Sequence, residues 1–175
     1  FLSHSIVCKA SIEVYGQEYS RVSRPGVNER NFNIFYEIMT SANSSMSRFL
    51  KHLKIGLPYD YRYTAQEGAG SARNRSRDES NFQALIEAMH SLGMDNDTQS
   101  AIYFVVYAIL NIGNVVFTEK DTPDGSAADI EDSEPLEAVA KALDIDVYAL
   151  NTLLTERVNE INGKRFVVTL SAVEA

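Results

Sequence analysis

The sequence predicts a mainly α-helical chain with one strand near its N-terminus and one β-hairpin near its C-terminus. Three observations predict it. Residues 6–15 alternate with period two, several later segments repeat apolar residues at helical spacing, and Asn162-Gly163 separates two short extended runs. A length of 175 residues suits a single domain with a sizeable core.

In the first run, Ile6, Cys8, Ala10, Ile12 and Val14 fall on one side of the alternation, and Lys9, Ser11 and Glu13 on the other, as in a half-buried strand. Arg24-Pro25-Gly26 marks a turn. Phe32, Phe35, Tyr36 and Met39 share a helix face, so a helix is expected to start near Asn28 or Glu29. Phe49, Leu50 and Leu53 predict a short helix over 46–53, ended by Gly56-Leu-Pro58. Ser80-Asn-Phe-Gln83 has the pattern of a capping box and predicts a helix start, with Phe82, Leu85, Ile86 and Met89 as its stripe and Gly93 as its stop.

Asn96 or Asp97 is placed to cap a fourth helix over 98–112, apolar nearly all round and so expected to be buried on every side. Val115 to Phe117 suit a short strand. Ser133 and Pro135 open a helix through Leu143, and Asp146 caps another over 147–156. The runs Arg157-Val-Asn-Glu-Ile161 and Lys164-Arg-Phe-Val-Val168 flank Asn162-Gly163, a pair that accepts positive φ at both positions of a tight turn.

Apolar residues make up 45% and charged residues 23%, ordinary globular values. The net charge of −8 disfavours non-specific nucleic-acid binding, and no nucleic-acid partner is expected. The charge is uneven. Residues 1–77 hold eleven Lys and Arg against six Asp and Glu, whereas residues 78–175 hold five against eighteen. The basic half is densest at Arg73, Arg75 and Arg77, the acidic half over 121–137, and both stretches read as surface loops. The single cysteine, Cys8, excludes an internal disulfide and fits a reduced, cytoplasmic setting. The longest apolar run, 101–110, is too short for a membrane span. Phe1-Leu-Ser-His4 lacks an initiator Met, and the chain is expected to be a piece of a longer protein.

Catalytic chemistry finds little support. Gly68-Ala-Gly70 lacks the preceding strand and the Gly-Lys-Ser/Thr ending of a phosphate-binding loop. His4, His52 and His90 are scattered, without metal-ligand spacing. Asp129 and Glu131 stand in a polar stretch, and no Gly-x-Ser-x-Gly occurs. No catalytic residue, metal or cofactor is expected in this chain. Ser76, between Arg75 and Arg77, has the flanks that basophilic kinases prefer.

Several motifs together resemble one family. Ser20-Arg-Val22, then Asn28-Glu-Arg-Asn-Phe-Asn-Ile-Phe-Tyr36, is similar to the myosin-head pattern Ser-Arg-Val…Glu-Arg-Asn-Phe/Tyr-His-Ile-Phe-Tyr. Asp60-Tyr-Arg-Tyr63, Asn81-Phe…Ala88-Met89…Gly93, and Ala108-Ile-Leu-Asn-Ile-Gly-Asn114-x-x-Phe117 resemble successive segments of the same family. Leu153-Leu-Thr155-x-Arg157 resembles the Leu-Thr-x-Arg that opens an actin-facing hairpin. Order and spacing hold over nearly the whole chain.

The resemblance implies a partial myosin motor domain over 1–175, most of the upper 50-kDa subdomain between switch I and switch II. It implies that the chain is part of the P-loop NTPase α/β fold of the myosin head. Within it, 6–15 would be a transducer-type strand, 28–156 the helical part, and 157–168 the hairpin that meets actin. Implied actin-binding residues are Arg157, Ile161, Lys164, Arg165 and Phe166, and Tyr15 is implied to couple at the inner end of the cleft. Implied partners are the actin filament and the remainder of the head, within the actin cytoskeleton. ATP and magnesium would serve the parent motor, an actin-activated ATPase, since the P-loop and both switch motifs are absent here. A stand-alone actin-binding module without ATPase activity is the alternative. Two departures stand out: Gly16-Gln-Glu-Tyr19 replaces the family's Leu-Leu-Glu-Lys, and Lys164 stands where the family carries an acid or a phosphorylatable Ser/Thr.

Overall fold

The computed structural model describes residues 11, 13–16, 20–26, 29–42, 50, 53–65, 72–123 and 125–175. The elements in chain order are α1 (Ser20–Ser23), α2 (Asn33–Ala42), a 3-10 turn (Pro58–Asp60), α3 (Ala72–Ser91), α4 (Asn96–Ile112), β1 (Phe117–Thr122), β2 (Gly125–Ile130), α5 (Ser133–Leu143), α6 (Val147–Thr155), β3 (Glu156–Ile161) and β4 (Lys164–Thr169). The strands form two separate antiparallel pairs, β1–β2 and β3–β4. The described chain is thus mainly helical, as expected.

Helix α4 lies between two apolar clusters. On one side, Phe35, Tyr36, Ile38 and Met39 of α2 pack with Leu50, Tyr61, Phe82, Tyr103 and Leu110. Full burial of each large side chain stabilises by roughly 1.5–3 kcal/mol, so this cluster dominates the energetics of the helical part. Ala108 faces a second cluster with Leu136, Val139 and Ala140 of α5 and Leu150 of α6. Val105, Ile109 and Ile112 occupy a third face of α4 and stay exposed, so the expectation of burial on every side is corrected. Two clusters cover two faces, and among the described residues nothing covers the third.

Local signals set most helix ends. Asp95 caps α4 by accepting from the Thr98 N–H at 2.8 Å, one residue before the expected Asn96. Asp146 caps α6 by accepting from the Ala149 N–H, as expected. Gly93, at φ +77°, closes α3 with two backbone bonds, its own N–H to His90 and the Met94 N–H to Met89. Helix α3 begins at Ala72, not at Ser80. Gln83 does not turn back to cap, and its amide donates to Glu87 one turn on. The arginine-rich stretch from Ala72 is therefore helix rather than loop. The acidic stretch expected as loop is largely the β1–β2 hairpin, paired from Phe117↔Ile130 to Thr122↔Gly125.

The expected helix over 46–53 lies largely outside the described residues. So do residues 6–10 and 12 of the expected strand, and at residues 11 and 13–16 the backbone forms no strand. A lone extended segment needs a neighbour to form a ladder, and no other strand pairs with it among the described residues.

The motifs that carry the resemblance form a connected frame. Asn31 donates from its amide to the Val22 and Tyr63 carbonyls, at 2.7 and 2.9 Å, and its N–H donates to the Tyr36 hydroxyl. Arg30 stacks 3.9 Å from the centre of the Tyr36 ring and grips Asp78 of α3 with both terminal nitrogens. Asn114, just past α4, donates to the Asp60 carbonyl at 2.7 Å and accepts from the Arg62 N–H at 2.9 Å. At Gly113 an added Cβ would stand 2.6 Å from the Tyr63 ring, so only glycine admits this approach.

Candidate functional site

The β3–β4 hairpin is the most exposed ordered element that bears expected site residues. Helix α6 ends at Thr155 and β3 begins at the next residue, with no loop between them. Asn162 and Gly163 carry φ of +52° and +72°, the left-handed pair that a two-residue hairpin turn requires. The register pairs Glu156↔Thr169, Arg157↔Val168, Val158↔Val167, Asn159↔Phe166, Glu160↔Arg165 and Ile161↔Lys164.

Cross-strand partners share a face, and alternate residues along a strand share it too. One face therefore holds Arg157, Asn159, Ile161, Lys164, Phe166 and Val168. Its charged side chains, Arg157 and Lys164, are both cationic. The other holds Glu156, Val158, Glu160, Arg165, Val167 and Thr169. Four of the five expected actin contacts are thus brought together, and Arg165 is not with them. Arg165 instead lies opposite Glu160, with Nε 3.9 Å from the carboxylate, an exposed pair of little energetic weight. Ile161 is 59% and Phe166 49% exposed, which leaves apolar surface beside the two cations.

The base of the hairpin is fixed. The Leu170 N–H donates to the Thr155 carbonyl at 2.8 Å, and the Leu170 carbonyl accepts from the Ala128 N–H of β2 at 2.7 Å. The Ala172 N–H donates to the Glu119 carboxylate of β1, which also accepts from the Ser126 hydroxyl. Just beyond, the Glu174 carboxylate accepts from the Ser171 N–H and hydroxyl, and these bonds hold its pKa below the ordinary value. The β1–β2 hairpin thus buttresses the root of β3–β4. Sequence reading missed this partner, although Pro123-Asp124-Gly125 is a turn signal with a definite cause.

Tyr15 stands apart from this constellation. It is 97% exposed and belongs to no regular element. Among the described residues, no group of three or more His, Cys, Asp or Glu is placed to hold a metal ion. None of their helices is long and apolar enough to cross a membrane. What the hairpin geometry provides is a projecting face of two cations and apolar side chains, suited to an acidic protein surface.

A family model described as myosin head (motor domain) matches residues 1–175. The myosin-I heavy chain of Dictyostelium discoideum is 34% identical over 167 residues, covering 95% of this chain and 7% of that protein. Myosin-1 of Eremothecium gossypii is 35% identical over 173 residues, covering 96% of this chain and 13% of that protein. Human unconventional myosin-XV is 29% identical over 178 residues, covering 100% of this chain and 5% of that protein. The chain spans a small fraction of the length of these curated relatives.

Proposed function

Because this chain belongs to the myosin head (motor domain) family, we propose that it is a segment of an actin-based cytoskeletal motor, lying in the upper 50-kDa subdomain and contacting the filament through the β3–β4 hairpin. The observation that carries this reading is the hairpin's register. It gathers Arg157, Lys164, Ile161 and Phe166 on one exposed face, with both of its charges positive. Such a face steers toward an acidic filament and then excludes water with its apolar side chains. The remainder of the head is the second partner, and the motor works in the cytoplasm.

The Gly-rich stretch of this chain does not fit the phosphates of a nucleotide. Gly68-Ala-Gly70 is followed by Ser-Ala-Arg73, and the helix that begins at Ala72 has neither the Lys nor the adjoining hydroxyl of a phosphate-binding loop. Phosphoryl transfer is accordingly assigned to other parts of the motor, and this chain contributes filament contact and coupling at the cleft, where Tyr15 is the candidate.

Co-sedimentation with filamentous actin tests the reading. The chain should pellet with filaments at low salt and release as salt rises. Replacing residues 157–168 with a Gly-Ser turn should leave it in the supernatant. Equal pelleting of the two proteins would sink the hairpin assignment.

A further inference from the structure

The arginine-rich start of α3 is unused by the reading above. Its first turn contains no acidic residue, and Arg73, Arg75 and Arg77 crowd the first two turns. Cations at a helix N-terminus oppose the macrodipole, so this end of α3 is electrostatically mismatched. Ser76 is exposed and shares an open surface groove with Glu79, Ser80 and Gln83. Asp78 is two residues on, about 200° around the helix at 3.6 residues per turn. It is buried on the inner face in its contact with Arg30. Ser76 therefore faces solvent on the turn whose other side carries that contact.

We propose that Ser76 is a phosphorylation site for a basophilic protein kinase. Kinases of this class read arginines before the acceptor, and Arg73 and Arg75 stand three residues and one residue before Ser76. In the transfer, the Ser76 hydroxyl oxygen forms a bond to the γ-phosphorus of ATP. The bond from that phosphorus to the β,γ-bridging oxygen breaks and ADP leaves. The hydroxyl proton passes to the kinase's base. The site is separate from the hairpin, so it persists whether or not the hairpin binds actin.

The test incubates the full chain with a basophilic kinase catalytic domain and magnesium ATP, beside Ser76→Ala, Ser80→Ala and a free peptide of residues 70–82. Mass spectrometry should find phosphate on Ser76 in the chain and the peptide. Label should vanish from the chain in Ser76→Ala and persist in Ser80→Ala. A labelled peptide beside an unlabelled chain overturns the proposal. So does label on Ser80 instead, or absence of label from both.

Discussion

Arg30 and Asp78, 48 residues apart in sequence, meet in a two-pronged contact, Nη2 lying 2.6 Å from Oδ2 and Nη1 3.1 Å from Oδ1. The side chain of Asp78 is 3% and that of Arg30 17% exposed, so Asp78 has no water to fall back on and Arg30 little. Asp78→Ala should therefore cost roughly 3 kcal/mol, because it leaves the part-buried Arg30 without its partner. Arg30→Ala should cost a similar amount, and the double variant less than the sum. Urea denaturation of the four proteins measures this. Additive losses would show that the pair is not coupled.

The junction after α4 gives a second prediction. Asn114→Ala removes two hydrogen bonds to the 60–62 backbone, each of about 0.5–1.5 kcal/mol. Gly113→Ala forces a methyl against the Tyr63 ring, an overpacking of about 1–3 kcal/mol. Thermal melts should place both below the parent chain. A Gly113→Ala variant as stable as its parent would mean the ring moves aside freely.

Glu37 gives a pH dependence. It is buried on α2, and desolvation pushes its carboxyl up against the opposing pull of a hydrogen bond with Asn81, while Asp78 pushes the same way as burial and Arg30 opposes. A carboxyl with a raised folded pKa binds more protons folded than unfolded. Its contribution therefore weakens as pH rises from the ordinary Glu value through the folded one. Glu37→Gln should be more stable than the parent at neutral pH, with the advantage fading as pH falls toward the ordinary Glu pKa. Glu174 and Asp95, whose pKa values are lowered, act in the opposite sense in both proteins, so the difference between parent and variant isolates Glu37. A pH-independent difference would contradict the assignment.

The two faces of the β3–β4 hairpin should differ in filament binding. Arg157→Glu and Lys164→Glu reverse charges on the cationic face and should each weaken actin co-sedimentation at least tenfold at low salt, a loss of about 1.4 kcal/mol or more. Arg165→Glu, on the other face, should have a much smaller effect. Equal losses for all three would show that net charge, not the face, governs binding.

What the sequence disclosed depended on how local each cause was. The caps at Asp146 and Gly93 and the Asn162-Gly163 turn act within a few residues, and those elements stand where expected. Helix α3 starts earlier than expected because Ser80 and Gln83 only imitate a cap, while Asp78 ties an earlier turn to Arg30 across 48 residues. The β1–β2 hairpin was hidden because most of its residues face water on both sides, so no apolar alternation betrays it. The face of the hairpin that excludes Arg165 follows from register, which the Asn-Gly turn specifies once the pairing is drawn out. The family motifs pointed toward function, yet Arg30, Asn31, Gly113 and Asn114 turn out to brace the scaffold.

The direct passage from α6 into β3, clamped at its root by Thr155, Leu170 and Ala128, has a mechanical meaning. A pull applied at the turn of the hairpin meets no slack before it reaches a helix seated in the core. The two clamping hydrogen bonds stand at that root, so tension at the tip arrives where the hairpin, the helix and β2 are joined.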